Sequence, residues 1–472
     1  MADVVERSFQ KPANTDEDTE NLVNFTNISI KNNNNISNFP PTSLRELKNV
    51  IKLLKKRKAK GYDQISNEAI QALPNNCLQI MCNIFNACLQ LAYFPSQWKH
   101  SIFQLAYFPS QWKHSIIITI LKPGKNPSDP NSYRPISLLP AMGKLFERII
   151  SIRLTDHMEK FNLIENLQFG FRRGHSTTHQ VLNLIELITS AFNKKNAMAA
   201  CFLDFEKAFD RVWHDGLIHK LTNFMLPHGF IKLSQSYLKR RSFQIRCGDT
   251  LSSKRIIFSG VPQGSVLGPI FFNIYINDMP HPFNTKILKY ADDTVALVES
   301  RNPQNAITNL QLSINIISKW CHQWKINLNP GKCSVILFRR YKTRMRVNTD
   351  IKINDSIINN PDSYKYLGVI IDKNLNFKEH ISYILNKANA AFYSIYPIIG
   401  RKSKLNIKIK KMLYISLIRP ILLYACPAWA IANKTERKKL DVIQNKILRS
   451  VVNAPCSPFL HRLASACNSL PE

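Results

Sequence analysis

Ala199–Leu203 reads AACFL and runs straight into Asp204, while Ile287–Tyr290 (ILKY) and Thr294–Val298 (TVALV) enclose Ala291-Asp292-Asp293. Short, mostly apolar runs bounded by polar residues read as strands. AACFL is then one buried strand, and the other two runs are the arms of a hairpin. On this reading Asp292-Asp293 fills the two-residue turn, where aspartate tolerates the backbone. All three acids lie where carboxylates are costly. Converging at strand ends they would repel one another unless cations neutralised them, which is the logic of a two-Mg²⁺ site for phosphoryl transfer.

Around that nucleus the chain is long and basic. Its 472 residues, 44% of them hydrophobic, suffice for several subdomains, and 64 Lys plus Arg against 32 Asp plus Glu leave +32. A folded chain with this excess is expected on a polyanion. No apolar run approaches the roughly 20 residues that span a bilayer, so no membrane partner is expected. The start, MADVVERSFQ, lacks the pattern of a signal peptide. Ten cysteines without a C-x-x-C pair point to free thiols and no structural zinc. The chain therefore reads as intracellular, in cytoplasm or nucleus, and not secreted.

Residues 1–40 are Asn-rich and carry three basic against six acidic residues, a net −3, which predicts a disordered N-terminal tail. From Ser43, Leu44, Leu47, Val50, Ile51 and Leu54 recur at helical spacing, and Gly61 is expected to close that helical stretch. Gln90–Ile102 (QLAYFPSQWKHSI) is repeated without change at Gln104–Ile116. Repeat folds diverge between units, so the doubled segment, 90–117, reads as a tandem duplication that loops out or displaces its twin. Short strands and helices then alternate to about Asp372. Residues 372–472 read as helices with 17 basic and 5 acidic residues, 17 − 5 = +12. There Asn433 and Glu436 suggest an N-terminal cap ahead of the stripe Leu440, Ile443, Ile447 and Val451.

Eight segments carry a resemblance. FLDFEKAFDRVWH (202–214), SGVPQGSVLGPIFFNIYIND (259–278) and YADDT (290–294) are similar, in order and separation, to the three central motifs of reverse transcriptases. KAKGYDQIS (58–66), KPGKNPSDPNSYRPISLL (122–139) and NLQFGFRRGHSTTHQ (166–180) resemble the earlier motifs of the non-LTR retrotransposon branch, of the jockey-like kind. WKINLNPGKCSVILF (324–338) and YKYLGVIID (364–372) resemble its two later ones.

The resemblance implies an α+β right-hand polymerase. Fingers would occupy 41–198, an antiparallel-sheet palm 199–371 and a basic helical thumb 372–472, with the reverse transcriptase domain proper at about 104–371. It implies an RNA-directed DNA polymerase that adds dNTPs to a primer 3′-hydroxyl, with an RNA template and a DNA primer as partners. Asp204, Asp292 and Asp293 would be the catalytic acids, holding two Mg²⁺ (or Mn²⁺ as a substitute) together with the Phe205 carbonyl. Lys122, Arg134, Phe209 and Gln263 would bind the nucleotide, with Phe209 the aromatic gate against a 2′-hydroxyl. Lys332 would protonate pyrophosphate, Asp210 would be a structural or solvated partner, and the small Ala291 would let the primer end lie close above the hairpin. The rival reading is a decayed transposon fragment that binds nucleic acid without copying it, suggested by the doubled segment.

Overall fold

The computed structural model describes residues 2–10, 17–32, 39–90, 113–282, 284–340, 347–400 and 402–454. In chain order the first elements are α1 (Ala2–Ser8), α2 (Glu17–Asn32), α3 (Leu44–Lys52), α4 (Asn67–Gln71), α5 (Asn75–Gln90), β1 (His114–Leu121), β2 (Tyr133–Leu138) and α6 (Ala141–Lys160). There follow α7 (Thr177–Asn193), β3 (Ala197–Leu203), α8 (His214–Thr222), α9 (His228–Leu238), β4 (Arg241–Cys247), β5 (Thr250–Leu251), β6 (Arg255–Ile257) and α10 (Gly268–Tyr275). Next come β7 (Lys286–Tyr290), β8 (Asp293–Ser300), α11 (Pro303–Gln323), β9 (Ser334–Phe338), β10 (Lys352–Ile353), β11 (Ser356–Ile357), β12 (Ser363–Tyr366) and β13 (Val369–Asp372). The last are α12 (Lys378–Ile399), α13 (Ile407–Leu413), a π turn at Tyr414–Ile418, α14 (Arg419–Leu423), α15 (Cys426–Trp429) and α16 (Lys434–Val451).

These elements form two compact units. One comprises Met1–Arg172, Leu203–Pro282 and Ser313–Pro330, the other Arg173–Phe202, Phe283–Leu312 and Gly331–Glu472. The partition cuts across the boundaries at 198/199 and 371/372 because β3 pairs with strands from beyond residue 292 rather than with its neighbours in sequence.

The first unit is built on a sheet of order β2-β1-β4-β5, with β6 on β4. β1 runs antiparallel to β2 and parallel to β4. Its residues His114–Ile116 close the second copy of the doubled segment; residues 91–112, which hold most of both copies, lie outside the described part. Where it is described, the expected disordered N-terminal tail forms two packed helices instead. Val5 and Phe9 join Ile117, Phe243, Ile245 and Ile257 in one apolar cluster, and Phe9 meets Phe243 edge to face at 5.5 Å. The acids that made the segment look unfoldable find partners in a basic body. Asp3 and Glu6 both pair with Arg255, and Glu20 pairs with the buried Lys325 at 2.6 Å. Val5, Phe9, Val23 and Ile30 are buried, whereas Leu22, Phe25 and Ile28 of α2 remain exposed.

A second buried cation steadies the same unit. Lys220, 3% exposed, donates to the Tyr275 carbonyl at 2.7 Å and to Asp278 at 2.5 Å. It also lies 3.8 and 4.6 Å from the ring centres of Trp324 and Trp320, whose π faces attract a cation. The helix that starts at Ser43 ends at Lys52, well before Gly61. Gly61 serves a close approach rather than a helix end, since a Cβ there would meet the Leu139 carbonyl at 2.8 Å.

In the second unit the sheet order is β7-β8-β3-β9. All seven residues of β3 are buried, and it pairs antiparallel with β9 from Met198↔Phe338 to Phe202↔Ser334. After β13, Asp372 accepts from the Phe377 amide at 2.7 Å and from those of Asn374 and Asn376 at 3.1 Å, which shapes the entry to α12. α12 packs on α16. Ile381, Ile384, Ala388 and Phe392 of α12 are buried, as are Leu440, Ile443, Ile447 and Val451 of α16. Asn433 does stand at the N-cap position of α16, but its side chain makes no capping bond; Glu436 pairs with Lys439 at 2.7 Å instead. No described helix is long and apolar enough to cross a membrane.

If the N-terminal helices are part of the first unit's core, Phe9→Ala should cost about 3 kcal/mol. Urea unfolding read by fluorescence would measure it, and an unchanged midpoint would return residues 1–10 to the status of a tail.

Candidate active site

Strand β3 delivers Asp204. The residue is half-buried, and its carbonyl accepts from the Asn329 amide at 2.9 Å. Phe205, 5% exposed, bridges to Leu328, and the Glu206 amide donates to Asn327 at 2.7 Å. The backbone of 204–206 is thus clamped along 327–329, inside the first unit.

Asp292 and Asp293 belong to the second unit, and both are exposed. The turn is displaced by one residue from the expected one. Tyr290 pairs with Asp293, so Ala291 and Asp292 make the turn and Asp293 opens β8. Ala291 carries the reversal with φ = 57°, a left-handed conformation that costs an L-residue roughly 1 kcal/mol. It is also 4% exposed, so its methyl is covered rather than offered to a ligand. Lys332 is exposed just before β9, in the same unit.

The remaining expected residues lie in the first unit, most of them on one loop and one hairpin. The Val261 amide donates to Phe209 and the Gly260 amide to Val212, both at 2.8 Å, and the Ser137 amide donates to Gln263 at 2.8 Å. These bonds tie 209–212, 260–263 and β2 into one patch. Gly260, at φ = 87°, lies so close to the Asp210 carbonyl that any side chain would collide with it. The half-buried Phe209 stacks on Phe272 at 4.6 Å and meets Phe171 edge-on at 6.2 Å. Gln263 donates through Nε2 to Asp210 at 2.7 Å. One amide N–H of the residue expected to contact the nucleotide is thus engaged within the protein. Lys122 and Arg134 sit at the β1–β2 hairpin. The Lys122 ammonium donates to the Asn131 carbonyl at 2.9 Å, and Arg134, exposed, lies opposite Ile120.

Asp210 is structural, and not solvated: it is 4% exposed. Burial lifts its carboxyl to about 6, opposed by the bond from Gln263 and the charges of Lys207 and Lys122. The residue missed by sequence reasoning is Glu147 on α6. It is 1% exposed and accepts from the amides of Val266 and Leu267 at 2.7 and 3.2 Å. Burial raises its pKa against the lowering charge of Arg241, itself 1% exposed. Glu147 anchors the loop that carries Gln263. Its signal was there to read: an acid inside the apolar run Leu145, Phe146, Ile149, Ile150.

The donor set suits a hard cation. The expected ligands, Asp204 and the Phe205 carbonyl in the first unit and Asp292 and Asp293 in the second, offer oxygen and no sulfur or imidazole, the chemistry Mg²⁺ prefers. Among the described residues no three His, Cys, Asp or Glu side chains stand grouped to hold a metal ion. His175 lies outside α7, before its cap Ser176, and its Nδ1 contacts the Arg173 carbonyl at 2.8 Å; with His179 it does not form a helical i, i+4 pair.

The Asp210 shift has a stability consequence. Because its folded pKa lies above the ordinary 3.8, the folded chain holds the proton more tightly. The stabilisation is complete below about pH 4 and is lost as pH rises towards 6, by up to about 3 kcal/mol. Asp210→Asn keeps the acceptor for Gln263 and cannot ionise, so its stability relative to the parent should climb across that window and then level off. Urea midpoints measured from pH 4 to 7 test this, and parallel curves for the two proteins would refute it.

The sequence of this patch has known counterparts. A family model described as reverse transcriptase (RNA-dependent DNA polymerase) matches residues 120–371. The chain is 35% identical over 423 residues to a probable RNA-directed DNA polymerase from transposon BS of Drosophila melanogaster, covering 88% of this chain and 45% of that protein. It is also 35% identical over 423 residues to the RNA-directed DNA polymerase from mobile element jockey of Drosophila funebris, covering 88% and 44%. To the Pol polyprotein of type-1 retrotransposable element R1 from Bradysia coprophila it is 24% identical over 397 residues, covering 83% and 37%. The chain spans less than half the length of these relatives. With just over half of its residues matched by the family model and the motifs in order around Asp204, Gln263 and Asp292-Asp293, the chain belongs to the reverse transcriptase (RNA-dependent DNA polymerase) family and resembles its jockey-like non-LTR retrotransposon members.

Proposed function

We propose that the chain copies RNA into DNA, adding dNTPs to the 3′-hydroxyl of a DNA primer on an RNA template. One observation carries the reading. Asp204 directly follows β3, Asp293 opens β8, and β3 and β8 are neighbours in one sheet. Asp204, Asp292, Asp293 and the Phe205 carbonyl would hold two Mg²⁺, or Mn²⁺ in their place. Bound there, such ions supply acidification of the primer hydroxyl and neutralisation of the triphosphate.

The chain's own residues do the rest. Lys122 and Arg134 meet the triphosphate from the hairpin, the arginine fork matching two phosphate oxygens at once. Phe209, held against Phe272, keeps its ring under the incoming sugar and excludes a 2′-hydroxyl. Gln263 orders the loop behind the nucleotide, and Lys332 returns a proton to pyrophosphate. Residues 41–198 serve as fingers, 199–371 as palm and 372–472 as thumb. Template and primer are gripped mainly through phosphates, so binding weakens steeply with salt. The work is done inside the cell, in cytoplasm or nucleus.

Primer extension on an oligonucleotide-primed RNA, with Mg²⁺ and dNTPs, tests this. Asp292→Asn should reduce extension to background while duplex affinity stays within a few-fold, since the acid is exposed and serves chemistry rather than grip. Extension that survives in the mutant would overturn the assignment, and no extension by the parent chain despite salt-sensitive binding would favour the decayed fragment. Separately, Phe209→Ala should admit ribonucleotides. An unchanged preference for dNTP over rNTP in single-nucleotide incorporation would make Phe209 a core residue only.

A further inference from the structure

β4 and β6 pair as far as Arg241↔Ile257, and the chain then leaves the sheet for the loop that carries Gln263. The next two amides, of Phe258 and Ser259, lie beyond the ladder and need acceptors. The end of α1 supplies one for both. The Phe9 amide closes on the Glu6 carbonyl at 2.9 Å, and the Phe9 carbonyl accepts from Phe258 at 3.0 Å and from Ser259 at 3.2 Å. A carbonyl oxygen has two lone pairs, so one group serves both donors.

The Ser259 side chain continues the contact. It is 0% exposed, and its hydroxyl lies 2.9 Å from the Gln10 carbonyl and 3.1 Å from the Asp210 carbonyl, so its single proton is shared between them. Asp210 in turn accepts from Gln263 Nε2 at 2.7 Å. A continuous path therefore runs from the end of α1 through Ser259 and Asp210 to Gln263, all of it within the first unit. The far side of the same stretch is tied separately, by His214, which donates through Nε2 to the Gly260 carbonyl at 2.7 Å. α1 is itself fastened to β6, through the pairs of Asp3 and Glu6 with Arg255 and through Val5 and Phe9 in the cluster that holds Ile257.

We propose that Ser259 is a positioning residue and that the end of α1, Phe9–Gln10, is the brace it works against. Together they fix the entry of the Gln263 loop and so set how tightly the chain holds an incoming dNTP. The brace rests on the contacts alone, whereas its effect on the nucleotide rests on the polymerase reading above, so the two can fail separately. A loop entry released from α1 lets Asp210 and Gln263 shift together. That weakens ground-state binding of the nucleotide and leaves the chemistry at Asp204, Asp292 and Asp293 as it was.

The full chain is compared with Ser259→Ala, which removes the shared hydroxyl, and with Phe9→Ala, which loosens the anchor of α1 but keeps its carbonyl. Amide hydrogen exchange read by mass spectrometry should speed up about five-fold or more over residues 258–261 in both variants, with β3 exchanging as in the parent. In single-nucleotide incorporation both should raise KM for the dNTP about five-fold or more, with kcat and duplex Kd within about two-fold. A fold that is merely less stable would instead lower kcat at an unchanged KM, because fewer molecules are active. Should Phe9→Ala fail to fold, Ser259→Ala decides alone. Unchanged exchange in Ser259→Ala would overturn the brace, and faster exchange with an unchanged KM would overturn its role at the nucleotide. A parent chain that extends no primer sinks the polymerase reading, and exchange then decides whether the brace exists.

Discussion

A strand buried over its whole length must satisfy every N–H and C=O through its two neighbours, and β3 is such a strand. All seven of its residues are buried, so β8 and β9 are not optional company. That constraint sets where Asp204 and Asp293 stand. Asp204 appears where β3 leaves the sheet, and Asp293 where β8 enters it. Ala291 absorbs the backbone reversal between β7 and β8, at φ = 57°, so that the next two residues can both be aspartates.

The first unit solves a different problem, holding a loop without regular structure. It does so with buried acids. Glu147 accepts two successive amides at Val266 and Leu267, and Asp210 takes the side-chain amide of Gln263. Both carboxyls are raised by desolvation, so each spends electrostatic free energy to fix a stretch of chain. Removing either acceptor would leave buried donors unmatched, which is a larger loss than the bond itself is worth. Together these bonds hold the middle of the loop at Gln263 as well as its exit at Val266 and Leu267.

Much of this could be read from the residues, and the failures have physical causes. The apolar run AACFL was enough to place β3, because continuous burial leaves little alternative for a short segment. The hairpin around Asp292 was legible too, but its register was not: tyrosine, alanine and aspartate are all tolerated at a strand end, and only the pairing of Tyr290 with Asp293 fixes which residues turn. Residues 1–40 misled because composition counts charges without knowing their partners. An acidic segment is a poor folder alone and a good one beside Arg255 and Lys325. Glu147 escaped notice because a single acid in an apolar helix face has no motif, and its partners, the amides of residues 266 and 267, have no side-chain signature at all. Gly61 looked like a helix stop since a close backbone approach across 78 residues of chain leaves the same mark in sequence as a cap.

The N-terminal helices set a boundary for anyone dividing this protein. A fragment begun at the first recognisable motif would leave Ile117, Phe243, Ile245 and Ile257 facing water, and would strip Lys325, 6% exposed, of the carboxylate of Glu20. An uncovered apolar patch, together with a buried cation that has lost its counter-charge, favours self-association over solubility. Phe9 and Phe243 stand far apart in the sequence, so this N-terminal cover seats on the sheet only through a long-range contact, one that cannot form until the strands beneath it are in place.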